Sequence, residues 1–396
     1  MTDLPLTGYR ILSAEQYGAG PYGTMLLAQL GAEVIKIEPP RVGDSARAVG
    51  PHYLREGESV YFQTFNLNKK SLTLDLRSDK GQEIFRKLAG EVHVVANNMR
   101  GDLPEKLGLT YDALKDVNPA VVCAHLSAYG RDNERARWPG YDYLMQAEAG
   151  YLSLTGEPDA PPTRFGLSMV DFMTGTMMTI GLLAALVDAE RSGKGRDVDV
   201  DLLSSALHQT SYPALWYLNE GDVTARTSRS AHPSVTPSQM FRTADGWVFV
   251  MAQLPKFWTI LTDRIGRADL AADARFATPA DRLANREALT EELDATFSAQ
   301  PTAHWMELLQ GHMPVSPVHS LDQALDNPFA HATGMVATVA HPDREDLKVL
   351  GSPFRVSGER PPLRAAPLLG ADTDAVLAGL GYDDAEVAQL RHEGVV

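Results

Sequence analysis

Short apolar runs alternate with amphipathic stretches along the first two hundred residues. Tyr9-Arg10-Ile11-Leu12 reads as a strand, Pro21 to Leu30 as a helix opened by proline and closed by Gly31, and Glu33 to Glu38 as the next strand. Ser71 to Leu76, a helix over Lys80 to Leu88 behind Asp79 as cap, Val92 to Ala96 and Ala120 to Leu126 continue the rhythm. Such alternation predicts βαβ units and an α/β fold with a mostly parallel sheet under helices. A long apolar helix is expected from Phe172 to Arg191, stopping at Ser192-Gly193-Lys194-Gly195, before the alternating strand Arg196 to Leu202. Beyond residue 215 the texture changes: Phe241 to Val250 is a hairpin around Asp245-Gly246, and Phe257 to Gln300 is charged and helix-rich. The expected organisation is a large domain over 1–215, a smaller α/β domain over 225–325, and a segment over 335–396, with Pro-marked turns and a last helix at Asp383 to His392, returning to the large domain.

Charge and cysteine content narrow the function. The 396 residues carry 51 acids against 36 bases, a net charge of −15, which opposes general binding to nucleic acid or an anionic membrane but leaves room for a locally basic cleft. Cys123 is the single cysteine, so an internal disulfide framework and a multi-cysteine metal site are excluded. The opening Met1-Thr2-Asp3-Leu4-Pro5 does not have the pattern of a secretory signal, and the apolar run Ile180 to Val187 is far short of the ~20 residues that span a bilayer. A soluble cytoplasmic protein is expected.

Gly18-Ala19-Gly20-Pro21-Tyr22-Gly23 matches G-x-G-x-x-G between a strand and a helix, with Glu38 at the end of the next strand, the outline of a dinucleotide fingerprint. Two details oppose that reading. Ser13 to Tyr17 separate the glycines from the strand, and Pro21 has no N–H to offer a pyrophosphate. The loop reads better as backbone brought close to some other ligand or neighbour. The histidines form no H-E-x-x-H or other close zinc pair, and Walker and G-x-S-x-G motifs are absent, so no metal or permanently bound cofactor is expected.

A series of short segments resembles the class III CoA-transferases, the family of formyl-CoA and carnitine CoA-transferases and the related α-methylacyl-CoA racemases. They are Leu6-x-Gly8, Ala19-Gly20-Pro21, Leu30 through Pro39, Gly43-Asp44, Asn66-x-Asn68-Lys69-Lys70-Ser71, the Asn98 region with Leu107-Gly108-Leu109, and Asn118-Pro119. Pro139-Gly140-Tyr141-Asp142, Thr155-Gly156, Asp171 with Thr174-Gly175, Gly193-Lys194-Gly195 and Ala366 through Gly370 complete the series. The resemblance implies a Rossmann-like large domain with a smaller α/β domain, an interlocked homodimer, and acyl-CoA and a small organic acid as substrates. The family's catalytic carboxylate falls on Asp171. At the start of an apolar helix an Asp reads equally as an N-cap, and the free N–H groups and helix dipole there favour its charged form. The implied chemistry is covalent, through an aspartyl anhydride and an aspartyl-CoA thioester.

Carried over residue by residue, Tyr17, Gly18 and Ala19 lie near the thioester, their amides suited to an oxyanion. Leu74, Asn98 and Met99 lie beside the nucleotide, and Lys106 serves phosphate. Arg41, Arg100 and Arg137 are further basic candidates; Arg41 and Arg137 flank positions where relatives carry a basic CoA contact and this chain has Pro39 and Pro139. Where the racemase branch has His-Asp this chain has Tyr141-Asp142. Tyrosine, with an unperturbed pKa near ~10, is a poor base at neutral pH, so transfer is preferred and racemisation is the alternative. Asp142 either orients substrate or caps the helix beginning near Tyr143. The multi-glycine loop of formyl-CoA transferases is missing at Arg226 to Thr236, which puts narrow formyl/oxalyl specificity in doubt. Succinyl-CoA and a dicarboxylate are the expected substrates, with Arg229 or His232 placed to hold a distal carboxylate. A non-catalytic CoA-binding subunit is the remaining alternative.

Overall fold

The structure, a computed structural model, describes residues 4–396. It forms two compact units. The first comprises the chain up to Ala149, then Gly166–Thr210 and Pro328–Val396; the second comprises Gly150–Phe165 and Ser211–Asn327.

The first unit is built on six parallel strands, β1 (Arg10–Ala14), β2 (Glu33–Glu38), β3 (Lys70–Thr73), β4 (Val94–Asn97), β5 (Val122–Ser127) and β6 (Arg196–Asp201), in the order β3-β2-β1-β4-β5-β6. This is the strand order of a Rossmann sheet. The strand direction of travel reverses between β1 and β4, so the loops after these two strands flank a crevice at the carboxyl edge. The inner strands β1, β4 and β5 are largely apolar because helices cover both faces, whereas β2 carries Lys36 and Glu38 and the edge strand β6 alternates Asp with Val. Leu12, Ile35, Leu72 and Val95 join Ile84, Phe85 and Leu88 of helix α2 (Asp79–Ala89) in one core. Ser78, not Asp79, caps α2, accepting the Gly81 N–H at 3.0 Å.

Helix α1 (Ala19–Gln29) leads from β1 to β2, and the short helix α3 (Asp142–Glu148) and the long helix α4 (Met169–Ser192) lie between β5 and β6. Gly193, at φ 70°, ends α4 in the left-handed conformation that favours glycine. The expectation that no apolar stretch reaches spanning length is corrected: α4 has 24 residues and is long and apolar enough to cross a membrane by composition. One face of α4 serves the interior. Val170, Thr174, Met178, Leu182 and Ala185 are buried, and α4 packs on α1 and on β5 and β6.

The α1–α4 crossing depends on two glycines. A Cβ on Gly23 would stand 2.6 Å from the Gly175 carbonyl oxygen, and one on Gly175 would stand 2.4 Å from the Ala19 carbonyl oxygen. The Thr179 hydroxyl donates to the Gly23 carbonyl at 3.1 Å across the same seam.

The C-terminal segment completes the first unit through polar contacts with the β3 region. The Asp372 carboxylate accepts the Ser71 N–H at 2.8 Å, the Asn68 side chain exchanges hydrogen bonds with Pro362 and Arg364, and the Val395 carbonyl accepts the Asp75 N–H. It also contains a hairpin, Val336–His341 with Arg344–Leu350, that the hydrophobic pattern did not announce.

In the second unit a three-stranded antiparallel sheet, Ser238–Arg242, Trp247–Met251 and Val315–Pro317, packs Phe241, Val248 and Val250 against Trp258, Leu261, Leu293, Phe297 and Trp305 from its helices. Residues 150–165 cluster with this unit and not with the chain that precedes them. Arg226 donates to the Ala160 and Pro161 carbonyls, and the Glu157 carboxylate accepts the Arg229 N–H at 2.8 Å. Such long-range bonds leave no periodic trace, which is why the 1–215 boundary drawn from the pattern includes the segment.

Gly175→Ala should destabilise the protein by about 1–3 kcal/mol, the usual cost of overpacking against atoms that cannot move aside. Gly379→Ala, where an added Cβ meets nothing within 4 Å, is expected to be neutral. Urea melts of the two variants check this.

Candidate active site

Each glycine of the G-x-G-x-x-G stretch makes room for a specific neighbour. A Cβ on Gly18 would stand 2.5 Å from Oδ2 of Asp171, one on Gly20 would stand 2.7 Å from Cβ of Asn98, and Gly23 faces Gly175. The motif is thus a close-approach device joining the loop after β1 to α4 and to the loop after β4, and no dinucleotide is needed to explain it. The two loops also clamp each other: the Asn98 carboxamide accepts the Gln16 N–H at 2.8 Å and donates to the Gln16 carbonyl at 2.6 Å.

Asp171 sits in the first turn of α4, half-buried behind Gly18. Its N–H donates to Oδ2 of buried Asp142 at 3.0 Å, while Oδ1 of Asp142 accepts from the Gln146 carboxamide at 2.6 Å. Asp142 therefore caps the start of α4; it is the first residue of its own helix, whose N-cap Tyr141 makes no side-chain cap bond, so the expectation that it caps a helix beginning near Tyr143 is corrected. Burial, then the neighbouring Asp142 charge, push the Asp171 carboxyl from 3.8 up to about 7. The expectation of a carboxylate kept ionised by its helix N-terminus is corrected in degree: Asp171 is fully ionised only above neutrality. Tyr17, Tyr61 and Tyr141 surround this place, with Tyr17 ring centroids 5.9 and 6.1 Å from the other two. Burial first, and then Tyr17 and Asp171, push the Tyr61 phenol up to about 12.

Two cavities meet here within the first unit. A small one of about 170 Å³ is lined by Tyr17, Gly18, Ala19, Ser127, Trp138, Tyr141 and Asp171, among others. A larger recess of about 630 Å³ runs over Pro39, Leu74, Arg77, Leu103 and Leu107, and shares Gln16, Asn98, Met99 and Arg100 with the first. Of the sequence candidates, Tyr17, Gly18, Ala19, Asn98, Met99, Arg100, Tyr141 and Asp171 line the smaller cavity, and Leu74 is both core and wall of the larger.

The remaining candidates fall elsewhere. Arg41 and Arg137 are exposed and outside both linings, although their neighbours Val42 and Trp138 belong to them. Lys106 also lies outside and pairs with Asp102 at 2.7 Å, the carboxylate that pairs with Arg100 at 2.6 Å. Arg229 and His232 belong to the second unit. The Arg229 guanidinium pairs with Asp294, and the His232 ring stacks on Tyr212.

Tyr17 carries a second correction. Its N–H donates to the Asp44 carboxylate at 3.0 Å and is not available to an oxyanion. The Gly18 and Ala19 N–H groups, at the open first turn of α1, make none of the loop's internal hydrogen bonds and remain suited to that role. Sequence reasoning missed Asp44 and Gln16 as parts of the site. The signal for Asp44 lay in β2, whose charged Lys36 and Glu38 alternate with apolar residues in a strand buried on both faces and so demand buried partners. Cys123 is buried in β5, where desolvation raises its thiol pKa far above the usual range.

An α/β fold with a half-buried carboxylate against a glycine backbone, a second carboxylate behind it and a long recess beside it is the class that fold and site define. Residues 6–373 match CoA-transferase family III. The mouse succinyl-CoA:glutarate CoA-transferase is 34% identical over 99% of this chain and 90% of its own length. The succinyl-CoA:mesaconate CoA-transferase of Haloarcula marismortui is 33% identical over 96% and 97%, and the formyl-CoA:oxalate CoA-transferase of Streptomyces coelicolor is 33% identical over the whole of both. A crystal structure of a CAIB/BAIF family protein from Brucella suis superposes with a TM-score of 0.83 at 32% identity, covering 96% of this chain and 100% of that one. The chain belongs to CoA-transferase family III. It is a CoA-transferase enzyme, which sets aside the non-catalytic subunit.

Because the native Asp171 carboxyl titrates near 7 and an unfolded one near 3.8, this group favours the folded state most below about pH 4 and that contribution is lost as pH rises through about 7. Asp171→Asn should remove this decline in melting temperature. Asp142→Asn, which keeps an acceptor for the Asp171 N–H but removes the charge, should shift the acidic limb of kcat/KM from near 7 to lower pH.

Proposed function

We propose that the protein moves CoA from a donor acyl-CoA of the succinyl-CoA kind to a small carboxylic or dicarboxylic acid, with Asp171 as covalent nucleophile. The observation that carries this reading is the Asp171 carboxylate in the small cavity, touching the Gly18 backbone, where the recess that can take an extended CoA opens beside it. The succinyl preference takes its support from the relatives named for succinyl-CoA:glutarate and succinyl-CoA:mesaconate transfer.

Ionised Asp171 attacks the thioester carbonyl, the carbon–sulfur bond breaks, and a mixed anhydride and CoA thiolate result. The thiolate attacks the aspartyl carbonyl, releasing the donor acid and forming aspartyl-CoA. An acceptor carboxylate then attacks aspartyl-CoA, expelling thiolate and forming a second anhydride. Thiolate attack on the acceptor carbonyl completes the new acyl-CoA and returns the carboxylate of Asp171. Each addition places negative charge on an oxygen, and the Gly18 and Ala19 N–H groups are fixed donors for it. The nucleophile, raised toward 7, balances ionisation against reactivity: a more basic carboxylate attacks better but is charged less of the time.

The active form we propose is a homodimer. Ile180 and Val187 of α4 are 64% and 49% exposed, and the helix Ser211–Glu220 buries none of its residues while exposing Tyr212, Leu215, Tyr217 and Leu218. Apolar surface on this scale suits a second copy of the chain.

Asp171→Asn should lower transfer by at least about a thousandfold, as expected for loss of a covalent nucleophile. With a donor acyl-CoA present, hydroxylamine should convert Asp171 of the parent enzyme to a hydroxamate. Activity of the variant within tenfold of the parent, or a hydroxamate at another residue, would overturn the mechanism. Light scattering should give twice the 43.1 kDa chain mass; a monomer that is fully active contradicts the dimer.

A further inference from the structure

The loop that meets Asp171 holds a conformation it would not keep by itself. Tyr17 has φ 68°, the left-handed region, where a residue with a side chain stays only if its surroundings hold it. Its N–H points at the Asp44 carboxylate, 3.0 Å from one oxygen and 3.3 Å from the other. That carboxylate also accepts the Ala46 N–H at 2.9 Å and pairs with the Lys36 ammonium at 2.9 Å, both charged side chains being completely buried. Lys36 in turn donates to the Glu15 carbonyl at 2.8 Å. One ammonium therefore grips the chain two residues before Tyr17 and the carboxylate that grips Tyr17 itself.

The surroundings leave Asp44 little freedom. Its own N–H donates to Glu38, which is held by Arg47 and by the Ser71 hydroxyl. Glu15 is paired with buried Lys69 at 2.8 Å and accepts the Thr24 hydroxyl at 2.6 Å, fixing the root of the loop. Asp44 also borders the larger recess, but its oxygens are taken by Tyr17, Ala46 and Lys36.

We propose that Asp44 is a positioning residue for CoA transfer, acting through the Tyr17 N–H to hold the Gly18 backbone against the Asp171 carboxylate. This rests on Asp171 as the nucleophile. A displacement of the loop by about 1 Å is enough to cost on the order of a hundredfold in rate when reacting groups must be aligned.

Asp44→Asn preserves shape but removes the charge and turns an N–H₂ toward either Lys36 or a backbone donor. It should lower kcat about a hundredfold, leave the KM for acyl-CoA and the Kd for CoA within threefold, and leave the acidic limb near 7 unmoved, because Asp171 keeps its burial and its Asp142 neighbour. A kcat within threefold of the parent, or a loss expressed in KM, would overturn the proposal. Should Asp44→Asn fail to melt cooperatively, Lys36→Met with Asp44→Leu replaces the buried pair by apolar groups, an exchange buried ion pairs often tolerate. That folded double variant should show the same fall in kcat, and normal kcat in it contradicts the proposal. Retained transfer by Asp171→Asn would remove the nucleophile alone, since the Asp44 result is read as kcat at unchanged CoA affinity.

Discussion

The contact of two helices through bare backbone sets the rest of the structure. Where α1 crosses α4, Gly23 and Gly175 have no side chains to separate them, and the helix ends are drawn together. The first turn of α4 carries Asp171, and the first turn of α1 begins at Gly18. A single close crossing thus places a carboxylate, two N–H groups and the edge of a parallel sheet within one small volume. The interior is too densely packed to absorb an added methyl at this seam, so the geometry is held by sterics more than by any one hydrogen bond.

Beneath that crossing lies a group of buried charges that a stability argument alone would not predict. Glu15, Lys36, Glu38, Asp44, Arg47 and Lys69 are all buried, and desolvation is the largest influence on Lys69, whose ammonium is pushed down to about 8. Buried ion pairs of this kind are often replaceable by apolar packing at little cost in stability. Their contacts here are with the backbone of the loop at 15–17 and with the first turn of α1, through the Glu15 and Pro21 carbonyls and the Tyr17 N–H. The network ties that loop by several directional bonds where apolar packing would supply none. Asp171 is disfavoured as an anion by burial and by Asp142, so holding it ionised costs the fold some stability.

Much of the fold was legible from local pattern, because most strands of the main sheet are short apolar or alternating runs and helices such as α1 and α4 end on glycine stop signals. Gly31 and Gly193 both have the positive φ expected of a helix end. What was not legible depends on partners distant in sequence. Residues 150–165 join the second unit through Arg226 and Arg229, and the C-terminal segment is tied to Ser71 and Asn68 by bonds spanning about three hundred residues. Asp171 could be placed only by family resemblance, since an Asp at a helix start is ordinarily a cap. Pro21 and the loop length argued against a dinucleotide reading of the glycine-rich loop, but what each glycine faces required three dimensions. The Asp294 partner of Arg229, sixty-five residues on, was likewise invisible in the local pattern.

The proposed mechanism takes the carboxylate of Asp171 itself through anhydride and thioester. Turnover with an acceptor acid labelled with oxygen-18 in its carboxylate tests this directly, because each cycle leaves one acceptor oxygen on the regenerated aspartate. Mass spectrometry of the digested enzyme should find heavy oxygen on the peptide containing Asp171 and on no other. An enzyme that completes many turnovers with Asp171 unlabelled would contradict the account.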